Sequence, residues 1–275
     1  AVTGETLGSI AAALRGHIGP AIVGKDVRSL EELLLSIERS IVGNTSAKAA
    51  AEIAVWDLYA QYCGLPLYKL LGGGRNILET DITISVNDPE TMAKDTADAI
   101  SRGYDTLKIK VGENPALDIE RLRAVRAAAP KAVIRIDANQ AWSPRQAVNL
   151  LESMQAEGLN IELVEQPVKA KDIDGLQFVT NNSPVRVMAD ESMFSPLDAM
   201  TIMQRHAADY VNIKLMKCGG LANALRIISA AEVYGVECMI GCMLEAKVSV
   251  TAAVHLACAK GAITRVDLGG PALCS

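Results

Sequence analysis

Eight residues carry most of the chemistry open to this sequence, and they recur at a regular interval. Thr83, Lys110, Asp137, Glu165, Asp190, Lys214, Cys242 and Asp267 follow one another at gaps of 24 to 28 residues, with Lys108 two positions before Lys110. Three successive members are carboxylates: Asp137, Glu165 and Asp190. Brought to one point they would repel one another unless a cation lay between them, and hard oxygen ligands of this kind suit Mg²⁺. Lysines flank the trio on both sides. Each of these charges sits in an otherwise apolar run, where an unpaired charge is costly. A metal next to a bound carboxylate makes the neighbouring C–H acidic by stabilising the enediolate formed on deprotonation. One lysine could then remove the proton from one face and another return it to the opposite face, which is racemisation or epimerisation. A lysine must be neutral to act as base. Burial, a nearby ion and a second ammonium all favour neutrality, so Lys108 is expected to help Lys110 act as one.

The elements that must position these residues are legible from the same interval. Short β-rich runs occur at 81–86, 106–111, 133–137, 161–165, 185–190, 210–215, 237–242 and 264–268, separated by amphipathic stretches such as 115–129 and 143–157. Strand alternating with helix implies parallel pairing through right-handed crossovers. Eight such units in about 195 residues match an α/β fold of the (β/α)8 TIM-like barrel type, compact against the usual ~250 residues. A doubly wound sheet is the rival, but it has fewer strands, and no G-x-G-x-x-G follows the first strand. In a barrel, every recurring residue arrives at the rim formed by the C-terminal strand ends. The i, i+2 spacing points Lys108 and Lys110 to one face. Strands two and six stand opposite in an eight-membered ring, so Lys110 and Lys214 would face each other across a bound substrate.

The preceding region reads as helices at 6–15, from Ser29 onward, and at 46–62, where Cys63-Gly64-Leu65-Pro66 stops the last of them. Gly72-Gly73-Gly74 reads as a linker, since no G-K-[ST] follows. The expected division is residues 1–75, the helical part of an α+β capping domain whose N-terminal strands are absent, and residues 76–275, a barrel lacking its last helix. The chain is expected to be a piece that stops at Pro271-Ala-Leu-Cys-Ser275.

Composition narrows the function classes. Half of the 275 residues are hydrophobic, and charged residues interrupt every apolar stretch before the roughly 18 residues of a membrane span. Net charge is −5 with no basic block, which argues against nucleic acid as partner. The six cysteines (63, 218, 238, 242, 258 and 274) form no C-x-x-C pair and read as reduced core thiols of a cytoplasmic protein. His17, His206 and His255 have no partner at metal-ligand spacing.

The motifs Thr106-Leu-Lys-Ile-Lys-Val-Gly112, Ile136-Asp-Ala-Asn-Gln140, Val164-Glu-Gln-Pro167, Ala189-Asp-Glu-Ser192, Asn212-Ile-Lys-Leu-Met-Lys-Cys-Gly-Gly220 and Ile240-Gly-Cys-Met-Leu-Glu245 resemble those of the enolase superfamily, in its muconate-lactonising subgroup. Within it the chain is most similar to the dipeptide epimerases of the L-Ala-D/L-Glu type. The resemblance implies Asp137, Glu165 and Asp190 as Mg²⁺ ligands and Lys110 and Lys214 as the acid/base pair. It implies substrate contacts from Lys108, Thr83, Cys242 and Asp267, with Asp267 facing the ammonium of a dipeptide. Where similar epimerases carry Asp-x-Asp at the end of strand eight, this chain has Asp267-Leu-Gly269. Lys217 is expected to leave the inward face and to be structural or loop-exposed. The activity so implied is Mg²⁺-dependent inversion at Cα of a dipeptide residue. N-acylamino acid racemase, o-succinylbenzoate synthase and muconate cycloisomerase are the alternatives, and a non-catalytic barrel is the alternative of another class. The partner would be a small molecule, a dipeptide or N-acyl amino acid, and assembly into a homo-oligomer would suit such a barrel.

Overall fold

The computed structural model describes residues 2–270; Cys274 and the terminal run 271–275 lie outside the described residues. Five helices come first. α1 (Leu7–Ala13) starts at a Thr6–Ser9 capping box and continues through one π turn, Leu14–Ile18, into α2 (Gly19–Ile22). The first helical stretch therefore runs further than the expected 6–15. α3 (Leu30–Ser40) carries Glu31 and Glu32 in its first turn and Arg39 in its last, matching the helix dipole at both ends. α4 (Thr45–Cys63) ends at Gly64, whose φ of +67° is the left-handed cap that glycine adopts without strain. α5 (Leu67–Leu70) is a single turn.

Eight strands then alternate with helices. The strands are β1 (Ile82–Ile84), β2 (Thr106–Lys110), β3 (Val133–Asp137), β4 (Ile161–Glu165), β5 (Arg186–Ala189), β6 (Tyr210–Ile213), β7 (Glu237–Gly241) and β8 (Ile263–Asp267). Between them lie α6 (Pro89–Ser101), α7 (Pro115–Ala128), α8 (Pro144–Ala156), α9 (Ile173–Asn182), α10 (Pro196–Gln204), α11 (Leu215–Cys218), α12 (Leu221–Tyr234) and α13 (Lys247–Ala259). α6, α7, α8 and α10 each begin with a proline behind Asp88, Asn114, Ser143 or Ser195, the residue types that start helices. Every strand pair is parallel, in sequential order. Between β8 and β1, Asp81 N donates to Val266 O at 3.2 Å and Leu268 N to Thr80 Oγ1 at 2.9 Å, drawing the ring together. This is the (β/α)8 TIM-like barrel.

Two apolar volumes hold it. The large one lies between strands and helices, where outward residues such as Leu107, Ile109, Ile134 and Ile136 are fully buried. The small one, Leu163, Met188 and Met239, fills the barrel lumen. Below it the lumen is ionic. Arg135 pairs with Asp81 (2.8 Å) and Glu162 (2.6 Å), and Arg265 pairs with Glu162 (3.0 Å) and stacks on Tyr210. The inward series is therefore charged at both levels and apolar between them.

The register carries the site. Lys110 pairs with Asp137, Asp137 with Glu165, and Gly241 with Asp267, so residues at successive strand ends reach one level. β5 and β6 are shorter than expected. Asp190 and Lys214 follow the last strand residue because the chain turns there: Met193 N bonds to Asp190 O, and Lys217 N and Cys218 N bond to Lys214 O.

The helical region is tied to the barrel by polar contacts. Arg75 donates to the carbonyls of Ala257, Lys260 (2.6 Å) and Ile263 (3.0 Å) around the end of α13. Glu52 of α4 accepts from Ala222 N at 2.9 Å, capping α12 from another helix. Gly220 makes this approach feasible: its φ is +132°, and a Cβ there would lie 2.4 Å from Glu52 Oε2.

Burial lifts Glu52 from 4.5 to about 7, outweighing its backbone hydrogen bond from Ala222. The folded value lies above the unfolded one, so the fold favours the protonated form, and stability drains as pH rises from about 4.5 to about 7. Glu52→Gln keeps an acceptor oxygen and does not ionise. It is expected to match the wild type near pH 4 and to exceed it by roughly 1–3 kcal/mol at pH 8 in urea melts. Glu38 and Arg226, the charged neighbours, are common to both proteins. A difference that does not change with pH would count against this assignment.

Candidate active site

Seven of the nine singled-out residues line one cavity of about 240 Å³ at the C-terminal mouth: Thr83, Lys108, Lys110, Asp190, Lys214, Cys242 and Asp267. Asp137 and Glu165 complete the set as buried residues joined to the cavity lysines. Lys108, 3% exposed, is the hub. Its Nζ stands 2.7 Å from Glu165 Oε2, 2.8 Å from Asp267 Oδ2 and 3.1 Å from Asp137 Oδ2. Lys110 Nζ donates to Asp137 Oδ2 at 2.7 Å and to Asn139 Oδ1 at 2.8 Å. Across the ring, Lys214 Nζ donates to Asp190 Oδ2 at 2.8 Å. Glu165 Oε1 accepts from Asn212 Nδ2 at 2.8 Å.

A larger groove of about 720 Å³ lies between α4, α5 and α13, walled by residues such as Ile53, Leu65, Val248 and Ala252. Its charged lining is one aspartate and one lysine, Asp57 and Lys247, against the cluster of lysines and carboxylates at the smaller cavity, so the chemistry belongs to the smaller one.

The electrostatics follow from burial opposed by pairing. For Lys108 burial disfavours the ammonium, but Asp267, Glu165 and Asp137 outweigh it and the net displacement is well upward. Lys214 is raised in the same way, with Asp190 and Glu165 overcoming burial. Burial would raise Asp190, but Lys214 and Lys217 bring it well below the ordinary carboxylate range. Glu165 is pushed up to about 7, by burial first and by Asp137 and Asp190 beside it, against the pull of Lys108. Burial pushes the Cys242 thiol up to about 12, with Asp267 and Glu245 adding to it, so it presents S–H rather than thiolate.

The donor set fits Mg²⁺. Asp137 and Glu165 share the Lys108 Nζ, Asp190 is buried beside Lys214, and Glu165 is short of positive charge. These are hard oxygen donors in need of a cation. Among the described residues no three Asp, Glu, His or Cys side chains stand together at ion-holding distances. Lysine ammonium groups occupy the space between the carboxylates, so an ion would take over contacts the lysines now make.

Of the two readings open for Lys217, structural or loop-exposed, the structure takes the structural one. Lys217 is fully buried, and its Nζ donates to Asp190 Oδ1, to Asp190 O and, at 3.1 Å, to Asn212 O. The chain past Lys214 is not a continuing strand but the single turn α11, and a helical i, i+3 step brings Lys217 back beneath Asp190. The Lys-x-x-Lys spacing was the available signal. Asn139 and Glu191 also line the cavity and were not singled out as site residues. Gln166, buried at φ +37°, spans the rim: its Oε1 accepts from Asp190 N (2.9 Å) and Ser192 N (3.0 Å). The five described cysteines are all free. No described helix is long and apolar enough to cross a membrane.

A parallel eight-stranded barrel with lysines and buried carboxylates at its C-terminal mouth has the architecture of the TIM-barrel enzymes, which carry their chemistry at that rim. Residues 1–72 match the family model "Mandelate racemase / muconate lactonizing enzyme, N-terminal domain", and residues 91–270 match "Enolase C-terminal domain-like". The chain belongs to the mandelate racemase / muconate lactonizing enzyme family of the enolase superfamily. It is 60% identical to the L-Ala-D/L-Glu epimerase of Clostridium acetobutylicum over 100% of this chain and 77% of that one. The substrate-liganded L-Ala-D/L-Glu epimerase of Bacillus subtilis superposes with a TM-score of 0.97 at 47% identity, covering 98% of this chain and 76% of that one. The dipeptide epimerase of Enterococcus faecalis V583, solved with Mg and L-Leu-L-Tyr, superposes at 0.94 with 43% identity, covering 98% and 76%.

Proposed function

We propose that this protein is a Mg²⁺-dependent dipeptide epimerase, an isomerase that inverts Cα of a dipeptide residue. The observation that carries the reading is that Lys110 from β2 and Lys214 after β6 open on one cavity while Asp137, Glu165 and Asp190 gather beside them. Asp137, Glu165 and Asp190 would hold the ion, which when bound offsets the negative charge that develops on the substrate carboxylate as the Cα proton leaves. Lys108, kept as an ammonium by three carboxylates, adds a fixed positive charge for that carboxylate. Lys110 and Lys214 act from opposite faces: one takes the proton, the other delivers one. Thr83 and Cys242 contribute neutral hydrogen-bonding walls, and Asp267 faces the ammonium end of the substrate.

The relatives support this reading through their names and bound ligands. We read residues 1–75 as the helical part of a capping domain and 76–275 as the barrel. We also propose a reducing compartment, the cytoplasm, a reading that the free thiols of the five described cysteines support.

One observation favours a second reading. Asp267 is already bonded to Lys108 at 2.8 Å, and Gly269 supplies no second carboxylate. A Cβ at Gly269 would lie 2.8 Å from Asp81 O, so an acid cannot simply be restored there. Recognition of an ammonium end is thereby weakened, which favours N-acylamino acids.

The test is deuterium wash-in at Cα in D₂O with Mg²⁺, using a dipeptide panel and the N-acetyl counterpart of each member. Wash-in into dipeptides, lost on chelation and restored by Mg²⁺, is the expected result. Wash-in into N-acetyl compounds alone selects the second reading, and none with either rejects both.

A further inference from the structure

We propose that Glu191 is a positioning residue for Lys110, acting through the side-chain amide of Asn139; the inference rests on the two-lysine reading above. Lys110 Nζ donates to Asn139 Oδ1 at 2.8 Å, and Asn139 Nδ2 donates to Glu191 Oε1 at 3.1 Å. The three side chains come from β2, the turn after β3 and the turn after β5, and all line the cavity. Glu191 is 7% exposed although Asn139 is exposed at the rim. Its Oε2 is buried without a hydrogen-bond partner among the described residues, so its contact with Asn139 is not a surface accident.

The amide has two ends of opposite character, and both are specified. Turned over, its NH₂ would face the Lys110 ammonium, donor against donor, and its oxygen would face the Glu191 carboxylate, acceptor against acceptor. The backbone alone does not choose between these orientations. Asn139 N is held by Asp137 Oδ1 at 3.0 Å with φ at +42°, which places the residue but leaves its amide free to rotate. Glu191 makes that choice. It keeps an acceptor aimed at Lys110 Nζ, so the amine's direction survives when its bond to Asp137 is weakened by substrate or ion. Among the described residues Lys214 has no amide relay: it bonds directly to Asp190 Oδ2, a carboxylate held at its other oxygen by Lys217. The device therefore serves one face of the substrate only.

That asymmetry provides the test. In a Lys214→Ala protein, Cα exchange comes from Lys110 alone; in a Lys110→Ala protein, from Lys214 alone. Adding Glu191→Leu should slow wash-in at least tenfold in the first protein and leave it within twofold in the second. Asn139→Leu should reproduce the defect, and the Glu191→Leu/Asn139→Leu pair should be no worse than either alone, because the two act in series. Equal losses in both backgrounds, or losses that multiply, overturn the proposal.

If Glu191→Leu does not fold by circular dichroism, polarity exchange decides instead. Asn139→Asp alone sets two carboxylates against each other and should be strongly impaired. Combined with Glu191→Gln, whose amide donates to the new carboxylate, it should recover at least tenfold; absence of rescue overturns the proposal. If neither parent protein exchanges any substrate that the wild type turns over, the two-lysine reading fails first and the inference falls with it. Parents that exchange on separate epimers, but ignore Glu191, refute the inference alone.

Discussion

Lys110→Ala and Lys214→Ala are each expected to lower interconversion of the two epimers by roughly 10²–10⁴-fold, the range for loss of a positioned acid or base. Each should still exchange the α-proton of one epimer. The geometry dictates this split. Lys110 is anchored on the β3 side of the cavity by Asp137 and Asn139, and Lys214 on the β5–β6 side by Asp190. On the proposed two-lysine reading each amine would reach one face of a carbon lying between them, so removing one would leave the other able to take and return a proton on its own side. Inversion needs both. The measurement is ¹H NMR loss of the Cα signal in D₂O, begun separately from each epimer. If both variants retain full epimerisation, the assignment of bases is wrong. If both lose exchange with both epimers while remaining folded and binding Mg²⁺, one lysine serves both faces.

Lys217→Met should have the largest effect on stability. Its Nζ is fully buried with three acceptors, Asp190 Oδ1, Asp190 O and Asn212 O, so each N–H has a partner. Burial pulls its ammonium down and Asp190 pulls it back. Methionine fills a similar volume but leaves those acceptors dry and removes one of the two charges compensating Asp190. Breaking a buried pair from one side costs about 3–5 kcal/mol, which for a chain of this size lowers the melting temperature on the order of 10 °C. The same change frees the Asp190 carboxylate to rotate, so Mg²⁺ titration should show weaker binding. Differential scanning calorimetry with and without Mg²⁺ measures both effects. A melting temperature within 2 °C of wild type would show that Lys217 is not needed to hold Asp190 in place, as would Lys217→Met with Lys214 intact binding Mg²⁺ normally.

Much of the site was legible before folding because barrel geometry converts sequence spacing into position. A strand with its following helix takes 24 to 28 residues here, so polar residues at that interval reach one rim whatever the helices contain. Strand parity likewise placed Lys108 and Lys110 on one face, and both do line the cavity. Spacing is blind to the point where a ladder stops. Runs 185–190 and 210–215 were expected to be strands throughout, yet the backbone turns at Asp190 and Lys214. Beyond that point period two no longer applies, which is why Lys217 was left between a structural and a loop-exposed reading and Glu191, adjacent to Asp190, was not foreseen as lining the cavity.

The partners of the charges were beyond the sequence for a related reason. That Asp137, Glu165, Asp190 and the lysines would converge follows from parity and interval. That Lys108 bridges Glu165, Asp137 and Asp267, the last 159 positions away, depends on the side chain's reach across a closed ring and on which oxygens burial leaves unpaired. The sequence by itself determined the barrel, the rim and the set of residues on it, since these rest on a local repeat. Only the tertiary structure decided which ammonium meets which carboxylate, that Asp267 is already engaged, and that Glu191 turns inward to hold Asn139. Those outcomes are set by the balance of desolvation and pairing at a few ångströms, a distance scale that residue order does not encode.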